Sequence, residues 1–82
     1  MKILIVDDDK LILKSLTRNL FTTDSTLEVE TAESVAESKE ILSQEEFDCI
    51  ISDLNMPEEN GLSLIHYLKN ESIQTPLIIM TG

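Results

Sequence analysis

The chain has 82 residues, 41% of them hydrophobic, which suits one small domain and is too apolar for a chain that stays disordered. Sixteen acidic against six scattered basic residues give a formal charge of −10, so neither a nucleic acid backbone nor an anionic membrane surface is an expected partner. One cysteine excludes an internal disulfide and any multi-cysteine metal site, and the opening apolar run is too short for a signal peptide, so the expected location is cytoplasmic.

Ile3 to Val6 is a continuous apolar run of the kind that forms a strand buried on both faces, and the first strand is expected over Lys2 to Val6. From Lys10 to Leu20, the residues Ile12, Leu13, Leu16 and Leu20 recur at helical spacing and predict an amphipathic helix with its apolar stripe on that side. Leu27 to Thr31 alternates with period two, as expected of an edge strand with one wet face. Glu33 to Gln44 reads as a second helix, and Phe47 to Ser52 as a third strand that ends at Asp53. A third helical stripe, Leu62, Ile65 and Leu68, spans Leu62 to Lys69, and Pro76 opens a last apolar run, Leu77 to Met80.

No repeat or linker interrupts this βαβαβαβ order. Strands joined by helix-length crossovers argue for a parallel sheet, since parallel neighbours need such connections and antiparallel hairpins do not. Right-handed crossovers, with the alternating strand at an edge, give the spatial order 2-1-3-4: an α/β, flavodoxin-like sheet. Ligands bind such sheets beyond the carboxyl ends of the strands where the winding reverses, here between strands one and three.

Strand one runs into Asp7-Asp8-Asp9, strand three ends at Asp53 and strand four leads to Thr81, so Asp7, Asp8 and Asp53 should converge. Clustered carboxylates repel one another and raise one another's pKa unless a cation neutralises them. Mg2+ fits such an all-oxygen site, and Mn2+ would substitute. Asp9, just ahead of a helix, is better read as its N-cap. Cys49, inside an apolar run, is expected to be a buried, inert thiol, and His66, off its helix's stripe, a solvated residue without chemistry.

Val6-Asp7-Asp8, the segment from Asp53-Leu54-Asn55-Met56-Pro57 to Gly61, and Met80-Thr81-Gly82 together resemble, in order, the three motifs of the receiver domain of two-component response regulators. The resemblance covers residues 1–82 and implies that Asp53 accepts a phosphoryl group from a sensor histidine kinase or a phosphotransfer protein. It implies that Asp7, Asp8, Asp53 and the backbone carbonyl of Asn55 hold the metal, and that the Thr81 hydroxyl senses the phosphoryl group. Met56 and Pro57 would direct the chain after the active strand, and Gly61 would supply a backbone conformation closed to bulkier residues.

Receiver domains continue through a further helix, strand and helix, so the 82 residues are expected to form a partial receiver lacking these elements and the lysine they carry. Phosphoryl transfer should be impaired accordingly. Strand four, apolar throughout, should then be an open edge, and self-association by edge pairing or element exchange is expected. Two other functions compete: a catalytically idle, self-associating fragment, and a Mg2+-dependent phosphohydrolase working through an aspartyl phosphate. The second is poorly matched, because its motif needs a second acid where this chain has Asn55.

Overall fold

Each apolar run becomes a strand and each amphipathic stretch a helix in the computed structural model, which describes residues 1–56 and 60–80. The order is β1 (Lys2–Val6), α1 (Lys10–Thr23), β2 (Glu28–Ala32), α2 (Val35–Gln44), β3 (Cys49–Asp53), α3 (Gly61–Asn70) and β4 (Leu77–Met80). The four strands form one sheet in the order β2-β1-β3-β4, all neighbours parallel, as expected from the helix-length crossovers. This is the flavodoxin-like architecture expected from the sequence.

The register sorts the side chains. Leu4 and Val6 of β1 face the same way as Ile50 of β3 and Leu77 of β4, and α2 and α3 cover that face with Val35, Leu42, Leu64 and Leu68. Ile3 and Ile5 point to the other face beside Cys49 and Ile51, where Leu13, Leu16 and Leu20 of α1 pack on them. The central strand β1 is thus apolar on both faces because both are roofed. At the β2 edge only Ala32 is fully buried, and Glu28 and Glu30 reach water, which accounts for the alternation.

Several elements depart from their expected bounds or faces. Helix α1 runs one turn past Leu20, to Thr23, whose hydroxyl donates to the Asn19 carbonyl at 2.9 Å. It stops where Asp24 turns extended and accepts from the Thr26 amide and hydroxyl, bonds that hold the Asp24 carboxyl below its usual pKa. Ile12 lies outside the stripe and is 40% exposed. Helix α2 starts at Val35 rather than Glu33, because Ser34 is its cap: the Ser34 hydroxyl accepts from the Glu37 amide at 3.1 Å.

Helix α3 carries the largest correction. Its buried face is Gly61, Leu64 and Leu68, while Leu62 and Ile65 of the expected stripe are 53% and 37% exposed. Both triplets have helical spacing, and Leu68 belongs to each. The choice is made by packing outside the helix, where Gly61 lies against the chain that follows β3.

Candidate functional site

The switch point between β1 and β3 is where the acidic residues stand. Asp7 directly follows β1: its amide donates to the Ala32 carbonyl of β2 at 3.0 Å, which fixes its backbone, and the residue is only 2% exposed. Asp8 is exposed, and Asp53, the last residue of β3, is half-buried. One carboxylate oxygen from each of Asp7, Asp8 and Asp53 lies within 4.8 Å of the others, so the predicted convergence is present.

Two of the three carboxylates are held by the same device. Asp7 Oδ1 accepts from the Asp9 amide at 2.9 Å, and Asp53 Oδ1 accepts from the Asn55 amide at 3.0 Å. Each is an Asx turn, in which an aspartate bonds the backbone two residues on. Each spends one oxygen on its own loop. The donors are backbone amides, so nothing in the identity of residues 9 and 55 announced these turns in the sequence.

Electrostatically the pocket is unbalanced. Burial raises the Asp7 carboxyl above its ordinary pKa; the Asp9 amide works against that, and the nearby Asp53 and Asp8 carboxylates add to it. Neither ion pair among the described residues, Lys2 with Glu45 and Lys10 with Glu33, reaches the pocket. A buried carboxylate beside two others, with only oxygen donors at hand, fits a hard divalent cation, so the donor set agrees with Mg2+.

The remaining candidates sort as follows. Asp9 is the N-cap of α1, its carboxylate accepting from the Leu11 and Ile12 amides at 2.9 and 3.4 Å. Met56 is half-buried against the core on the α2 and α3 side. Pro57 and Thr81 lie outside the described residues. Cys49 is buried and His66 exposed, as expected.

Gly61 needs a different explanation from the expected one. Its φ is not positive, so no backbone conformation reserved for glycine is in use. A Cβ there would lie 3.1 Å from Leu54 Cα and 3.2 Å from the Asp53 carbonyl oxygen, and the Gly61 amide donates to the Leu54 carbonyl at 2.9 Å. The glycine lets α3 dock directly on the chain leaving β3. Ser52, fully buried with its hydroxyl donating to the Asp53 carbonyl at 3.1 Å, is a second support that sequence reasoning missed. Its strand position before Asp53 offered no distinguishing signal.

A parallel flavodoxin-like sheet with an acidic pocket at its switch point defines the class. The family model described as the response regulator receiver domain matches residues 3–82, and the chain belongs to that family. It is 35% identical over 81 residues to the response regulator protein PilR of Pseudomonas aeruginosa, covering 99% of this chain and 18% of PilR. It is 40% identical over 80 residues to the transcriptional regulatory protein GlrR of Escherichia coli, covering 98% of this chain and 18% of GlrR.

Among solved structures, the Vibrio cholerae chemotaxis protein CheY4 superposes with a TM-score of 0.85 at 34% identity, covering 95% of this chain and 65% of CheY4. The chain therefore spans under a fifth of these two regulators and about two thirds of the chemotaxis protein. Receiver domains are in general phosphoacceptors of two-component signalling that interact with histidine kinases or phosphotransfer proteins and typically bind Mg2+ at an acidic pocket. No helix among the described residues is long and apolar enough to cross a membrane.

Proposed function

We propose that Asp53 is the phosphoacceptor of this receiver, with Asp7, Asp8, Asp53 and the backbone carbonyl of Asn55 holding Mg2+, for which Mn2+ can substitute. The observation that carries this reading is the convergence of three carboxylates within 4.8 Å, one of them buried and unpaired by any described cation. The donor is a phosphohistidine of a sensor kinase or phosphotransfer protein, or a small acyl phosphate. An Asp53 carboxylate oxygen attacks phosphorus, the bond from phosphorus to the donor's nitrogen or oxygen breaks, and the donor leaves with that electron pair. When bound, the metal offsets the negative charge that gathers around the phosphoryl oxygens.

The chain's own residues do the positioning. Asp53 is fixed by its β3 pairing and by the Asn55 amide, so one oxygen is presented while the other is held. The Thr81 hydroxyl, next after β4, is assigned to the phosphoryl group as a hydrogen-bond donor, and the protein is placed in the cytoplasm. Beryllium fluoride, a phosphoryl mimic, should bind in a Mg2+-dependent way and fail to bind Asp53→Asn. Retained binding in that variant removes Asp53 from the role.

A specific observation favours one further property. Strand β4 is the apolar edge of the sheet, with Ile78 53% exposed on the α1 side. We infer that the 82-residue chain self-associates through it, by edge pairing or exchange of an element.

A further inference from the structure

We propose that Asp9 is a positioning residue for the metal pocket: its capping of α1 holds the backbone amide that anchors Asp7. The inference rests on the reading of Asp7 as a metal ligand.

The geometry joins two hydrogen-bonded units through one residue. On its helix side, Asp9 is extended (φ −92, ψ 108), its Oδ1 accepts from the Leu11 and Ile12 amides, and its carbonyl accepts from the Leu13 amide at 3.1 Å. On its strand side, its own amide donates to Asp7 Oδ1 at 2.9 Å. Asp7 is in turn tied to β2 through the Ala32 carbonyl. The buried carboxylate thus sits between the end of β1 and the first turn of α1, and the Asp9 side chain holds that turn to the loop.

Asp9 is not among the converging carboxylates, so it is no ligand by its placement. Without its side-chain acceptor, residue 9 loses what keeps it extended at the head of the helix. Its amide is then free to turn away from Asp7, and the Asp7 carboxylate loses its bond to that amide. Groups that orient a metal ligand typically cost about 10- to 100-fold in affinity when removed. The Asp53 side lacks this link, because Asn55, whose amide holds Asp53, is not a helix cap; Asn60 caps α3. The two walls of the pocket should therefore respond differently to loss of a cap.

The test compares Asp9→Asn, which keeps a capping oxygen without the charge, with Asp9→Ala, which keeps neither, in the 82-residue chain. Two readouts are taken: calorimetric titration with Mg2+ alone, and amide hydrogen exchange at residue 9 by NMR in metal-free protein. Asp9→Asn should bind Mg2+ within about threefold of wild type and keep its amide protected, whereas Asp9→Ala should bind at least about tenfold more weakly and lose that protection. Equal weakening in both variants assigns the effect to charge and overturns the proposal, as does wild-type affinity in Asp9→Ala. Should Asp9→Ala not fold, Asp9→Gly replaces it, since glycine is tolerated at a helix start. If wild type takes up no Mg2+, the metal reading falls separately. The exchange measurement still decides the anchoring: retained protection in Asp9→Ala overturns it, and lost protection supports it.

Discussion

At the residue scale, Asp7 is where the fold and the site oppose each other. The strand that buries Asp7 also sets it beside Asp53 and Asp8, and two carboxylates at the 4.8 Å limit repel by roughly 3.5 kcal/mol at an effective dielectric of 20. Asp8 is exposed, so screening reduces this, and a net cost on the order of 1–2 kcal/mol is reasonable. Asp7→Asn should therefore stabilise the metal-free protein by about that amount in urea unfolding, while abolishing the rise in stability that Mg2+ gives wild type. That rise should reach about 2.7 kcal/mol at a concentration of 100 times Kd.

The pH dependence has a definite sign. The folded Asp7 carboxyl titrates above its unfolded value, so the metal-free folded state binds more protons between the two values. Metal-free wild type should gain stability from this group as pH falls through that window and lack that gain at neutral pH. Asp7→Asn should flatten that gain. If the variant is no more stable than wild type without metal, the carboxylates are not in the strained arrangement described.

At the element scale, the rotation of α3 is the sharpest structural claim. Leu64 is fully buried between α3 and the sheet, and Leu62 is more than half exposed. Leu64→Ala should cost about 2–5 kcal/mol in chemical denaturation, and Leu62→Ala under ~0.5 kcal/mol. The opposite ranking would restore the stripe read from spacing. Ser34→Ala should cost about 1 kcal/mol through loss of the α2 cap.

These elements also mark what the sequence could disclose. Strand order was legible because Ile3 to Val6 is continuous while Leu27 to Thr31 alternates, and burial on two faces or one follows directly. Convergence of Asp7, Asp8 and Asp53 was legible because parallel strands deliver their carboxyl ends to one edge. The face of α3 was not, because Leu62, Ile65, Leu68 and Gly61, Leu64, Leu68 satisfy the same period. The contact that selects between them, Gly61 on Leu54, depends on how the helix docks. The start of α2 was written in the sequence as Ser34-x-x-Glu37, a capping signature that periodicity alone overlooks.

At the scale of the whole molecule, the two sheet edges are protected unequally. Glu28 and Glu30 line the β2 edge, so pairing it with a second copy would oppose like charges. Strand β4 carries no charge between Leu77 and Met80, and its exposed Ile78 lies on the face that only α1 covers among the described residues. Pairing β4 with β4 of a second copy would align these apolar side chains and satisfy the free backbone groups. The opposing force is the −10 charge on each copy, which salt screens, the Debye length falling from ~10 Å at 0.1 M to ~3 Å at 1 M. Association measured by light scattering at tens of micromolar should therefore strengthen as salt is raised, the reverse of an interface held by ion pairs. Ile78→Lys should weaken it by about tenfold or more, since each copy would bring a cation to an apolar seam, while Mg2+ binding at the opposite side of β3 is retained. A protein that stays monomeric at every salt concentration, or an Ile78→Lys variant that associates as wild type does, would remove β4 as the contact.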